Sequence, residues 1–166
     1  MYNELTKSDI KKMQEEIEYR KCVVRKQALE DVKEARAHGD LSENFEYHAA
    51  KKVKNQNEGR IRYLERMIRT AVVIEDDSAE DEIGINDTVE ILIEEDKSVE
   101  TYKLVTTVRG DSLNGLISVE SPMGKALLGH KVGDKVSIKV NENFSYDVIV
   151  QRIDKSDDEN DKMRNY

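Results

Sequence analysis

The chain has 166 residues, 37% of them charged, with 27 Lys and Arg against 35 Asp and Glu and a net charge of −8. Such a length holds one domain or two small ones, and the acidic balance argues against a general nucleic-acid binder held by bulk attraction to phosphate. The single cysteine, Cys22, excludes a disulfide framework and points to a reducing cytoplasm, and no apolar run is long enough to span a bilayer or serve as a leader.

Charge is divided unevenly. Residues 1–75 carry 16 basic and 14 acidic side chains, a balance of +2, which leaves −10 for the remainder. From Thr6 to His38 there is neither Pro nor Gly. Ile10, Met13, Ile17, Val24, Ala28, Val32 and Ala35 recur mostly at helical steps, and Thr6 with Asp9 resembles a capping box. About 30 helical residues reach about 45 Å, so this helix should project from a small domain. Gly39 ends it. A second helix starts near Ser42 or Asn44 with Ala49, Val53, Ile61, Leu64 and Ile68 on one stripe, and polar Gln56 and Asn57 weaken its middle. Two such stripes joined by a short loop pair antiparallel.

Beyond Glu75 the pattern changes. Asp76 to Glu82 reads as an acidic linker. Thr88 to Ile93, Glu100 to Val105, Gly115 to Val119, Lys135 to Val140 and Ser145 to Ile153 read as five short strands bounded by Gly, Asn and Asp. Between the third and fourth, Ser121 caps a short helix, Pro122 takes its first position and Gly129 stops it. The fold class is therefore α+β: a helical hairpin over residues 1–75, a linker over 76–82, a small β-sheet domain with one helix over 83–154, and a disordered polar tail over 155–166.

The hairpin tip carries the chemistry. Asp40 and Glu43 stand three residues apart where a loop can present carboxylates to a hard cation such as Mg2+, which prefers oxygen ligands and water. The same pair also reads as a helix cap, Asp40 at the N-cap with Glu43 three residues on, worth about 1 kcal/mol.

Gly39-Asp40-Leu41-Ser42-Glu43-Asn44, then Glu46-Tyr47-His48-Ala49-Ala50-Lys51 and Glu58-Gly59-Arg60-Ile61, closely resembles the coiled-coil tip of the bacterial Gre transcript cleavage factors, the GreA branch more than the GreB branch. Leu116-Ile117-Ser118-Val119 with Ser121-Pro122, Ala126-Leu127-Leu128-Gly129 and Val132-Gly133-Asp134 resembles that family's FKBP-like C-terminal domain. The resemblance covers about residues 1–154. It implies a cytoplasmic, monomeric factor that is not itself an enzyme. Such a factor enters the secondary channel of backtracked RNA polymerase and stimulates cleavage of the nascent RNA near its extruded 3′ end. Asp40 and Glu43 match the acids that help hold a shared Mg2+ at the polymerase's own active site.

Arg36 and Lys51 match a basic patch that would meet RNA phosphates without reading sequence, although either also reads as the solvated face of a charged hairpin. Residues 51–69 carry seven Lys and Arg against two Glu, which favours a polyanionic neighbour. Leu41, Ser42, Asn44, Phe45, Tyr47 and His48 support the tip. Buried packing explains Tyr47 and His48 at least as well as contact does, and His48 has no ligand-like spacing with His38 or His130.

Phe45 departs from the small residue usual in the family. It could stack on an unpaired base, clash in the channel, or pack on Leu41, with packing preferred. Lys26 replaces a frequent Pro, and Asn141-Glu142-Asn143 a usual Pro-Gly turn. Glu120, Pro122 and Met123 occupy the stretch that docks on the polymerase surface, while Pro122 is also simply a helix starter. Two other functions compete: a channel-occupying paralogue that regulates without cleavage, and an FKBP-type prolyl isomerase with a coiled-coil arm. The isomerase needs an aromatic-lined pocket, for which residues 76–166 offer only Tyr102, Phe144, Tyr146 and Tyr166.

Overall fold

The structure, a computed structural model, describes residues 3–39, 43–156 and 163. The chain divides into two compact units. One is the helical hairpin, Asp9–Ala71; the other joins residues 3–8 to residues 72–156. The compact hairpin unit is thus shorter at both ends than the range 1–75 expected from sequence. Strand β1, Glu4–Leu5, pairs in parallel with β2, Val72–Val73, and Leu5 is fully buried. A two-residue strand has no periodicity to read, so nothing in the sequence announced it.

The first arm of the hairpin is α1, Lys7–Tyr19, a five-residue π-turn, Arg20–Val24, and α2, Arg25–Arg36. The second arm is α3, Phe45–Arg69. An uninterrupted first helix was expected, and the π-turn has a physical cause. The inward positions Glu16, Arg20, Val24, Ala28 and Val32 follow one another every four residues, whereas an α-helix repeats every 3.6. Over four turns the stripe would slip around the helix by more than one residue, and the extra residue of a π-turn takes up most of that slip.

The seam changes character along its length. Met13, Ile61, Leu64 and Met67 are buried toward the base, and Ala28, Val32 and Ala35 line the distal arm. Ala49 and Val53, expected inside, are exposed. The middle is polar and closed. Asn57, 4% exposed, accepts from Arg20 Nη1 at 3.1 Å and donates to the Arg20 carbonyl at 3.3 Å. Glu16 takes Arg60 Nε at 3.2 Å and Arg20 Nη2 at 3.4 Å. Asn57 is thus a bonded seam residue, which corrects its reading as a weak point.

The other unit holds a five-stranded sheet of order β5-β4-β3-β7-β6. Its strands are β3 Thr88–Ile93, β4 Val99–Val105, β5 Leu116–Ser118, β6 Lys135–Asn141 and β7 Phe144–Asp154. Only β4 and β5 run parallel; the other pairs are antiparallel. One face is buried: Val89 and Ile91 of β3, Val136 and Ile138 of β6, and Val148 and Val150 of β7 alternate into a core closed by Leu127. This two-residue period is what a sheet packed on one side demands.

Helix α4, Pro122–Leu127, covers that core, with Ser121 Oγ accepting from Gly124 N at 3.0 Å. A Cβ on Gly124 would strike the Ser118 carbonyl oxygen, so only glycine lets the helix lie this close to the end of β5. The Asn141 side chain accepts from Asn143 N at 2.8 Å, an Asx turn that serves the β6–β7 hairpin without Pro-Gly.

The segment 76–82 is not a free linker. Lys155 Nζ donates to Ser78 Oγ, the Glu82 carbonyl and Asp87 Oδ2 at 3.0, 2.7 and 2.7 Å, and Lys131 pairs with Asp81 at 3.1 Å. The tail expected to be disordered therefore begins with two anchored residues, Lys155 and Ser156, the latter bonded to the Asn86 carbonyl. Residues 157–162 and 164–166 lie outside the described residues.

Candidate functional site

The tip is built by the end of α2 and the start of α3. After Arg36 the chain turns through Ala37 N to the Glu34 carbonyl and His38 N to the Ala35 carbonyl, and Gly39 follows at φ 137° with open space around it. Glycine is there for backbone freedom rather than for room. Asp40, Leu41 and Ser42 lie outside the described residues.

Helix α3 opens at Asn44, whose side-chain oxygen accepts from Tyr47 N at 3.0 Å while its amide donates to the Ala35 carbonyl at 2.7 Å. One side chain caps α3 and ties it to the last turn of α2. This answers the competing reading of the acids for Glu43, which precedes the N-cap and is exposed. Phe45 is 85% exposed. It stands at the outer start of α3, and Leu41, on which it was expected to pack, lies outside the described residues.

Arg36 and Lys51 both lie beside the Tyr47 ring. Arg36 Cζ lies 5.5 Å and Lys51 Nζ 6.0 Å from the centroid of the Tyr47 ring, within cation–π range. Arg36 Nη2 also donates to the Tyr47 hydroxyl at 3.5 Å, and that bond, helped by the charge of Lys51, holds the phenol below its ordinary pKa. Tyr47 is half-buried and His48 is exposed, its ring 5.4 Å from that of Tyr47. His38 Nδ1 faces Glu46 Oε2 at 3.2 Å.

The outer face of α3 is electropositive for a structural reason. Both acids of residues 51–69 are engaged by the other arm. Glu58 takes Arg25 Nε and Nη2 at 2.7 and 2.9 Å, and Glu65 takes Lys21 at 2.6 Å. Lys51, Lys52, Arg62, Arg66 and Arg69 remain exposed, a surface suited to polyanions.

On the β unit the stretch named for docking is ordered from within. Glu120 Oε2 accepts from Thr107 Oγ1 at 2.8 Å, and its backbone N–H donates to Ser118 Oγ at 3.1 Å. Met123 packs on the core, while Pro122 is exposed. Of the three, Pro122 presents the freest surface. Tyr102 and Tyr146, which an isomerase would need around a pocket, pack against the core instead.

Sequence reasoning missed the seam formed by Glu16, Arg20, Asn57 and Arg60. The signal was present: Asn57 lies four residues before Ile61, on the inward stripe of α3.

Family models match most of the chain. A family model described as "Transcription elongation factor, N-terminal" matches residues 3–73, and one described as "Transcription elongation factor, GreA/GreB, C-term" matches residues 77–155. The transcription elongation factor GreA of Thermoanaerobacter pseudethanolicus is 47% identical over 137 residues, 82% of this chain and 87% of that protein. GreA of Chloroherpeton thalassium is 45% identical over 148 residues, 87% of this chain and 93% of its own length. Among solved structures, GreA factor homolog 1 (Gfh1) of Thermus thermophilus is 29% identical, covering 93% of this chain and 100% of its own, with a TM-score of 0.43. With both halves matched in order by the family's two models, the chain belongs to the GreA/GreB family of transcription elongation factors.

Proposed function

We propose that this factor works as a cytoplasmic monomer on RNA polymerase, entering its secondary channel and stimulating the polymerase's own cleavage of backtracked nascent RNA. The observation that carries the reading is the capping of α3. Asn44 fills the N-cap, so Glu43 is not needed to hold the helix and stands exposed beside it. An acid that the fold does not use is available to a partner.

The donor chemistry fits a hard cation: Glu43 offers carboxylate oxygens in an exposed position, and with Asp40 it would share Mg2+ with ligands of the polymerase. Bound there, Mg2+ supplies polarisation of a water and a clamp on the phosphoryl oxygens. The chain's own share is to deliver the acids on a stiff arm. About 25 residues of α3 reach nearly 38 Å. Arg36 and Lys51, gathered on the Tyr47 ring, would meet phosphates of the extruded RNA, and the segment Glu120, Pro122 and Met123 would dock on the polymerase surface.

The test is a stalled, backtracked elongation complex with Mg2+, mixed with wild type, Asp40→Asn or Glu43→Gln. Each substitution should lower stimulated cleavage by on the order of 10²-fold or more, the scale of removing one electrostatic stabiliser, while binding to the complex persists. Equal cleavage by wild type and both variants would refute the assignment of the acids. If wild type binds without stimulating cleavage, the regulatory paralogue is the better reading.

A further inference from the structure

The two arms of the hairpin are weakened at the same level. In the first arm the π-turn Arg20–Val24 replaces the α-helical ladder, with Arg25 N bonded to the carbonyl of Arg20. In the second, Gly59 sits inside α3, where glycine is a poor helix former. A Cβ there would meet nothing closer than Arg62 Nη2 at 3.9 Å, so close packing does not require the glycine. Helices bend at π-turns and at glycines.

Polar groups bridge these two weak points. Asn57 donates to the Arg20 carbonyl that already accepts from Arg25 N, and accepts from Arg20 Nη1. Arg25 grips Glu58 with two bonds, and Glu16 gathers Arg20 and Arg60. Stability alone does not account for the Arg20–Asn57–Arg60 part of the seam, because Arg20 Nε and Arg60 Nη1 are buried with no protein group as hydrogen-bond partner, which is costly. Buried polar groups of this kind serve best where geometry must be unique. The distal part has little else to direct it: no residue of α3 from Phe45 to Gln56 is buried, and apolar contacts with Ala28, Val32 and Ala35 are non-directional. Beyond the seam, Asn44 ties the distal arms to each other, so they would move as one piece.

We propose that the Arg20–Asn57 clamp locks a joint halfway along the hairpin and that Asn57 is a positioning residue for the tip. Asn57 stands 12 residues from Phe45, a lever of about 18 Å. A tilt of roughly 3° at the joint moves the tip by about 1 Å, a displacement that can lower a rate by on the order of 10²-fold. The inference rests on the tip reading above, and its physical half can be judged independently.

The experiment uses the full chain with Cys22→Ser and spin labels at Lys11 and Lys33, exposed positions on either side of the π-turn and about 33 Å apart if helical. Wild type should give one narrow distance. Arg20→Leu/Asn57→Leu, which replaces both partners with apolar groups, should keep the helical melting temperature or raise it while broadening that distance. In the backtracked complex it should lower the maximal cleavage rate about 10- to 100-fold with binding to polymerase unchanged.

Adding Gly59→Ala, which stiffens the second arm, should narrow the distance and recover part of the rate. An unchanged distance in the double variant overturns the joint whatever the cleavage result. A broadened distance with full cleavage overturns the positioning role. If the double variant does not fold, Asn57→Asp, which keeps the acceptor for Arg20 but removes the donor to its carbonyl, is judged by the same criteria. Should Glu43→Gln cleave like wild type, the tip reading fails, and the distance measurement still decides the joint.

Discussion

Asn44 and its neighbours show how closely support and chemistry adjoin at the tip. Asn44 makes two bonds, one within α3 and one to α2, whereas Glu43 before it and Phe45 after it face solvent. Asn44→Ala should therefore cost about 1 kcal/mol or somewhat more, seen as a lower helical melting temperature. Phe45→Ala should change stability by no more than about 0.5 kcal/mol, and a larger loss in the same melt would assign Phe45 a packing role. The identity of the tip string was legible in sequence because it is a local run of specific residues. The division of labour within it was not, because both Asp40 and Asn44 are good N-cap residues and only the start of α3 decides between them.

Among the elements, all five core strands were legible to within a residue or two, since a sheet buried on one face writes its period directly into the chain. The hairpin was legible as two helices and illegible as a seam. Polar residues on an inward stripe, such as Asn57, look like weakness until their partners on the other arm are known. The seam has a pH consequence. The Arg25 guanidinium, bonded twice to Glu58, holds that carboxyl below its ordinary pKa. A lowered folded-state value means that the stabilisation is present above the unfolded carboxyl's pKa and is lost as pH falls through the folded one. Thermal melts of the hairpin helices should therefore show stability falling as the medium is acidified below the usual glutamate range. The fall should be shallower in Glu58→Gln; an identical acid profile in that variant would remove Glu58 as a cause.

At the scale of the whole molecule, residues 3–8 belong with residues 72–156 although the hairpin separates them in sequence. Leu5, fully buried beside the β1–β2 pairing, should make that visible. Leu5→Ala should destabilise this unit by about 2–5 kcal/mol, measured by hydrogen exchange at the β3 and β7 amides in urea; unchanged protection there would assign Leu5 no share in the unit. The two long arms, the five core strands with the helix that covers them, and the family to which the tip string belongs were determined by the sequence alone, because periodicity, caps and turn residues act over a few neighbours; the short β1–β2 pair and the π-turn were not. Tertiary structure decided which polar groups the fold consumes and which it leaves for a partner: Asn57 is locked to Arg20 across 37 residues, Glu120 is turned onto Thr107, and Glu43 is left in solvent. A hydrogen bond needs its two groups within about 3 Å, and only the packed chain sets which distant groups come that close.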